Sequence, residues 1–170
     1  MAGYSGTPLP QKLGIKPNHV VLVTTPPKTF SATLGKLPDG VKLSSVSNGR
    51  FDVAVVFFTR AAELEQKLPS LKRRMQPAAG LWVGWPKKAS GVSTDITEDV
   101  VRRMALEIGL VDNKVCAIDD TWSGLRLVIR VADRPTAERL STKSARLSSG
   151  RRRARPAAGR APGRGAPKGR

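Results

Sequence analysis

The chain has 170 residues, 30 of them Lys or Arg and 13 Asp or Glu, for a formal net charge of +17. Hydrophobic residues make up 39% and aromatics 5%, which fits one modest core and excludes most two-domain enzymes. The longest apolar run, at 53–58, is far short of the roughly twenty residues that span a bilayer; no apolar stretch in MAGYSGTPLPQKLG resembles a signal peptide, and a lone Cys116 forms no internal disulfide, so a cytoplasmic location without a membrane partner is expected.

Along the chain, strand and helix signals alternate. Residues 19–25 (HVVLVTT) follow the turn residues Lys16, Pro17 and Asn18 and predict a buried strand. Phe30–Leu34 predicts a helical turn before the loop Pro38-Asp39-Gly40, and 41–46 alternates as a short, half-exposed strand. Beyond the turn Asn48-Gly49, residues 51–58 (FDVAVVFF) are the most apolar run and predict the central strand. Ala61, Leu64, Leu68, Leu71 and Met75 share one helical face, with Pro69 off it as a kink. Lys72, Arg73 and Arg74 occupy the last turn, where cations complement the helix dipole. Residues 76–80 read as a turn into a short buried strand at 81–85.

A second helix is expected over about 96–108, with Ile96, Val100, Val101, Met104, Ala105 and Ile108 on one side. Asp95 and Glu98 form its capping box, and Gly109 closes it. Strands at 110–118 and 125–131 are joined by 119–124 with no helix between, so they pair antiparallel. The fold class is therefore α/β: a mostly parallel sheet over residues 1–133, flanked by helices and closed by an antiparallel hairpin.

Residues 134–170 are a different material. They carry twelve Lys and Arg against Glu138 alone, +11, whereas 1–133 carry eighteen bases and twelve acids, +6. From Arg151 to Arg170 every residue except Lys168 is Arg, Ala, Gly or Pro. Such a segment cannot bury enough surface to offset its ordering entropy, so a disordered basic tail is expected, with a short helical stretch around 135–140. Two readings stay open. A polycationic arm would hold nucleic acid through Arg151, Arg152, Arg153 and Arg155 by counterion release. An unselected extension would look the same, because these four residue types all have codons built of G and C alone.

Three phrases, LGIKPNHVVLV (13–23), FDVAVVFFTR (51–60) and LPSLKRRMQPAAGLWVGWP (68–86), together with the closing hairpin, resemble the Rossmann-like fold of S-adenosylmethionine-dependent methyltransferases. The resemblance covers roughly residues 12–131 and implies fold more than activity. Where those enzymes place a glycine-rich cofactor loop, this chain has Thr24-Thr25-Pro26-Pro27-Lys28, without glycine and two N–H donors short. Where they place a ribose-binding acid, Val46-Ser47-Asn48 stands, and one helix and strand of the usual set are missing. A shortened relative whose cofactor site is lost or replaced is expected, and no cofactor is assigned. The phrases WPKKASGV (85–92), TDITEDVV (94–101), LVDNKVCA (110–117) and TWSGL (121–125) resemble a bacterial domain-of-unknown-function family, family 3052, which implies no activity.

Catalytic groups are sparse. His19 reads as structural, Cys116 as an inert core thiol, and Asp119 and Asp120 as turn residues. No spacing of Cys, His or carboxylates suggests a metal site, and no catalytic residue is assigned. Ligands of open α/β sheets bind at the carboxyl ends of the strands. If the methyltransferase strand order holds, Lys28, Arg60, Lys87 and Lys88 reach one rim there, with Ser90 as a further donor, and suit a phosphate-bearing small molecule. Against this, long basic side chains on loops are commonly just solvated, and Asp95, Glu98 and Asp99 place competing negative charge nearby. Trp82, Trp85 and Trp122 read as packing residues rather than base-stacking platforms. The expected function is a non-enzymatic binding domain for an anionic, phosphate-bearing ligand or partner. The alternatives are a degenerate methyltransferase-like enzyme and nucleic-acid association through the tail.

Overall fold

In the computed structural model, which describes residues 6–45 and 49–134, the apolar runs become strands and the spaced apolar stripes become helices. The chain divides into two units, Met1–Arg134 and Pro135–Arg170, and every described residue lies in the first. Its elements in order are α1 (Leu9–Lys12), β1 (Val20–Thr24), α2 (Phe30–Leu34), β2 (Lys42–Ser44), β3 (Phe51–Phe57) and α3 (Ala61–Arg73). After them come β4 (Met75–Pro86), α4 (Glu98–Glu107), β5 (Leu110–Ala117) and β6 (Trp122–Ile129).

Six described strands form one sheet in the order β2-β1-β3-β4-β6-β5. The pairs β1–β2, β1–β3 and β3–β4 are parallel. The pair β5–β6 is antiparallel, because the connection between them is too short for a crossover, and β6 also runs antiparallel to β4. This is the α/β arrangement expected above, a mostly parallel sheet with a closing hairpin.

Successive side chains of a strand face opposite ways, and here both faces are covered. On one side Leu22, Ala54, Val56, Leu81 and Val83 meet Leu64 and Leu68 of α3 and Val101 and Ala105 of α4. On the other Val21, Val53, Val55, Trp82 and Ile118 meet Leu9, Leu13, Phe30 and Leu34. Each fully buried aliphatic or aromatic side chain contributes about 1.5–3 kcal/mol. That double burial is why β3 reads as an unbroken apolar run. Trp82 also donates its Nε1–H to the Leu13 carbonyl oxygen at 2.9 Å, which fixes the chain leaving α1 to the sheet.

Several local expectations change. Met75 is not on the helical face: α3 ends at Arg73, and Met75 opens β4 opposite Phe51. Residues 76–80 are not a turn but part of β4, which absorbs them through a register shift between Phe51 and Val53. Pro69 stands inside α3, exposed, without ending it. The cap of α4 is Thr97, whose hydroxyl accepts from Val100 N at 3.3 Å. Asp95 instead accepts the amide of Ala61, at the start of α3, at 2.7 Å. Lys72, in the last turn of α3, returns the favour by donating from Nζ to Ile108 O at the end of α4, so the two helices are tied at both ends. Gly109 follows with φ +83°, as a helix-closing glycine requires.

Among the described residues no helix is long and apolar enough to cross a membrane. The expected end of the second strand at Val46, the turn residue Asn48 and everything expected of 135–170, Arg151, Arg152, Arg153 and Arg155 included, lie outside the described residues.

Candidate functional site

The parallel order puts the carboxyl ends of β2, β1, β3 and β4 along one edge, and the chain reverses its direction of travel across the sheet between β1 and β3. Such switch points leave a crevice beside the first strand. Here the crevice is shaped by Thr25, held at φ +47° while its hydroxyl donates to Phe57 O at 2.7 Å. Phe30 N donates to Pro27 O at 3.0 Å and closes the turn into α2. The Phe30 ring then meets Phe57 edge to face, with centroids 5.0 Å apart.

Between this loop, α2 and the end of β2 lies a cavity of about 690 Å³. Among the described residues Lys28 is its only charged wall residue, joined by the hydroxyl residues Thr24, Thr25, Ser31, Ser44 and Ser45 over the apolar Val23, Leu34 and Leu43. Among the described residues no carboxylate lines it. One ammonium beside several hydroxyls can take an anionic group, while the apolar wall takes an uncharged portion of the same molecule. Thr25 is shared with two smaller cavities. One, of about 280 Å³, includes Phe58, Lys67 and Ser70; the other, of about 320 Å³, includes Glu63, Lys67 and Trp122.

The expected rim residues are distributed unequally. Lys28 lines the large cavity, and Arg60, immediately before α3, lines a different one of about 610 Å³ with Thr59, Thr94 and Asp95. Lys87 and Lys88 line neither. The Lys87 ammonium donates to Asp119 O at 2.8 Å, and its amide donates to Thr121 O at 2.7 Å, so this side chain holds the β5–β6 connection. Ser90 Oγ donates to Lys87 O at 2.6 Å and accepts from Val92 N at 3.3 Å. Lys88 stands exposed between them. Lys87 and Ser90 are thus brought together, while Lys28 and Arg60 face separate hollows.

Other residues hold local structure, and Cys116, expected in the core, is only partly covered. His19 Nδ1 accepts from Lys16 N at 3.2 Å and closes a turn. Asp119 Oδ1 accepts the amides of Thr121 and Trp122, each at 2.7 Å, in the hairpin connection. Trp82 and Trp85 are buried, and Trp122 meets Phe57 edge to face at 5.1 Å. Cys116 is half-buried, and burial pushes its thiol pKa up, although Lys114 and Lys12 oppose that shift. Arg102 is held between Glu98, Asp99 and Asp112, and its hydrogen bonds to Glu98 and then Asp112 raise its pKa. Sequence reasoning missed Ser31, Ser44 and Ser45. The usable signal was topological: a second strand parallel to β1 must bring the residues after it beside the loop after β1.

No family model matches the chain, and no curated protein matches it, so the family 3052 resemblance stays a resemblance. The chain is similar in structure to a SAM-dependent methyltransferase from Aquifex aeolicus, at 17% identity over 70% of this chain and 87% of that one, with a TM-score of 0.49. It is also similar to magnesium protoporphyrin IX methyltransferase from Synechocystis PCC 6803, at 10% identity over 66% and 75%, with a TM-score of 0.45. A third likeness is to precorrin 8w decarboxylase from Methanobacterium thermoautotrophicum, at 13% identity over 71% and 86%, with a TM-score of 0.42. Likenesses this distant carry no functional weight, and the fold assignment stands on the strand order.

Proposed function

We propose that this chain is a binding domain for a small phosphate-bearing molecule, seated in the cavity between residues 24–28, α2 and the end of β2. The observation that carries the reading is the composition of that wall among the described residues: Lys28 amid hydroxyl residues, with no carboxylate. Its volume of about 690 Å³ falls in the range of small-molecule sites, roughly 300–1,000 Å³. In this reading Lys28 binds the anionic group, the Ser31 hydroxyl orients it, and Leu34 and Leu43 hold the remainder of the ligand.

The test is a thermal-shift titration of the full chain with nucleoside phosphates, phosphorylated sugars and S-adenosylmethionine. A ligand at a hundred times its Kd stabilises by about 2.7 kcal/mol, a shift of several degrees for a domain of this size. Stabilisation by a phosphate that Lys28→Glu abolishes is the expected result. An equal shift in wild type and Lys28→Glu would overturn it.

A second reading, a methyltransferase-like enzyme, is supported by the strand order and by a cavity beside β1. Against it stand Pro26 and Pro27, which remove two amide donors from the loop that would face the cofactor. Stabilisation by S-adenosylmethionine alone would favour this enzyme. Nucleic-acid association through Arg151, Arg152, Arg153 and Arg155 is a separate proposal supported by the +11 charge of residues 134–170. Replacing those four by Gln in the full chain should flatten the salt dependence of binding by about four counterions.

A further inference from the structure

The cavity beside Lys28 has a neighbour across one ridge of backbone. Thr24 and Thr25 line both the cavity of about 690 Å³ and the hollow of about 280 Å³, and among the described residues they alone are common to the two. The first is walled by Val23, Phe30 and Leu34, which pack on one face of the sheet. The second is walled by Phe58 and Leu71, which pack on the other. The end of β1 is therefore a ridge with a hollow on each side. Among the described residues β2 leads to β3 without a helix that would close over the end of β1 on the α3 side.

The far hollow repeats the chemistry of the near one. Lys67 and Ser70 of α3, with Arg74 just after it, stand over an apolar floor of Phe58 and Leu71, and among the described residues no carboxylate lines it. The Lys67 ammonium makes no hydrogen bond or ion pair among the described residues, although Glu63 stands one turn before it. Arg74 is held in place: its Nε donates to Gly49 O at 2.8 Å, and its guanidinium lies 5.9 Å from the Phe51 ring centroid. Two cations in one hollow, one fixed and one without a partner, suit a doubly charged anion. The ridge between the hollows is different. The Thr25 hydroxyl proton is committed to Phe57 O, so the ridge suits an uncharged middle portion of a ligand.

We propose that the ligand of the Lys28 cavity carries a second phosphate, which lies across the Thr24–Thr25 ridge and seats at Lys67 and Ser70, with the fixed charge of Arg74 beside them. The substrate class is thus an elongated bisphosphate rather than a monophosphate, and this rests on the reading of the Lys28 cavity given above. Joining two phosphate sites through one ligand raises affinity, because the second group binds at high effective concentration once the first is seated, provided the linker spans the ridge.

The test is calorimetric titration of the full chain with alkanediol bisphosphates of increasing chain length, each compared with the alkyl monophosphate of the same length. At least one bisphosphate should bind about tenfold or more tighter than its monophosphate. Lys67→Gln should remove that gain and leave monophosphate binding unchanged, while Lys28→Glu should abolish monophosphate binding. Ser70→Asp, which puts a carboxylate into the far hollow at an exposed helical position, should also remove the gain. Monophosphate binding that depends on Lys28, with no bisphosphate gain at any length, overturns the second phosphate and leaves the first reading standing. A gain that survives both Lys67→Gln and Ser70→Asp overturns it too, because charge outside these hollows then accounts for the affinity. No binding of either kind in wild type, or monophosphate binding untouched by Lys28→Glu, overturns both readings together.

Discussion

The Thr25 hydroxyl donates to the Phe57 carbonyl oxygen at 2.7 Å, and that bond holds a β-branched residue at φ +47°. A left-handed conformation in a residue of this kind costs of order 1–3 kcal/mol. The bond returns about 1 kcal/mol and ties the end of β1 to the end of β3. The loop therefore acquires the tight turn that glycine would supply, but keeps a side chain and a fixed shape. Replacing Thr25 by Val should destabilise by about 1 kcal/mol in urea unfolding, since the strain stays and the bond goes. Replacing it by Gly should be nearly neutral, because strain and bond are lost together. A Val variant as stable as wild type would show that the hydroxyl is not what holds the turn.

The paired ties between α3 and α4 predict additivity. Asp95→Ala strips the acceptor from Ala61 N, and Lys72→Met strips the donor from Ile108 O. Each should cost about 1 kcal/mol, as capping interactions do. The two lie at opposite ends of α3, so the double variant should equal the sum within about 0.5 kcal/mol in denaturant midpoints.

Trp82 offers a sharper loss. It is fully buried, and its Nε1–H meets Leu13 O at 2.9 Å. Trp82→Phe leaves that carbonyl without its partner and removes ring volume from the core, so about 2–4 kcal/mol of destabilisation is expected. Amide exchange should rise at Leu13 and Ile15 before it rises at β3.

Stability should also fall at alkaline pH through Cys116. Burial is the main cause of its raised pKa, and the ordinary value is 9.0. A thiol whose folded pKa lies above the unfolded one stabilises fully below the unfolded value, and the contribution is lost as pH rises through the folded one. Unfolding free energy should therefore decline above about pH 9, and Cys116→Ala should flatten that part of the decline. Iodoacetamide should alkylate Cys116 more slowly than a free cysteine at about pH 8.

Much of the architecture was legible because burial on two faces writes itself into β3 as an uninterrupted apolar run, and the short link between β5 and β6 leaves only one pairing. Local chemistry was less so. Met75 continues the helical spacing of Leu64, Leu68 and Leu71, yet it opens β4, because periodicity cannot tell the last turn of a helix from the first residue after it. Asp95 matches a capping box in every sequence respect, but Thr97 caps α4 and Asp95 serves α3, a tertiary bond across 34 residues. The four-residue α1 gave no periodic signal at all. At the site, strand order directed attention to the loop after β1 and to Lys28, which lines a cavity there. Nothing in the spacing of Lys87 told that its ammonium would turn to Asp119 O.

The lip of the large cavity is formed by β2, a strand of three residues at the sheet edge, hydrogen-bonded to β1, with Leu43 55% exposed. Little apolar area is lost when such a strand lifts away, so its opening free energy is a small fraction of the global one. The amides of Leu43 and Ser44 should then exchange with solvent deuterium well before those of β3 and β4. Fraying of β2 thus takes down one wall of the cavity, and a molecule bound against Leu43 and Ser44 should slow the exchange of those two amides.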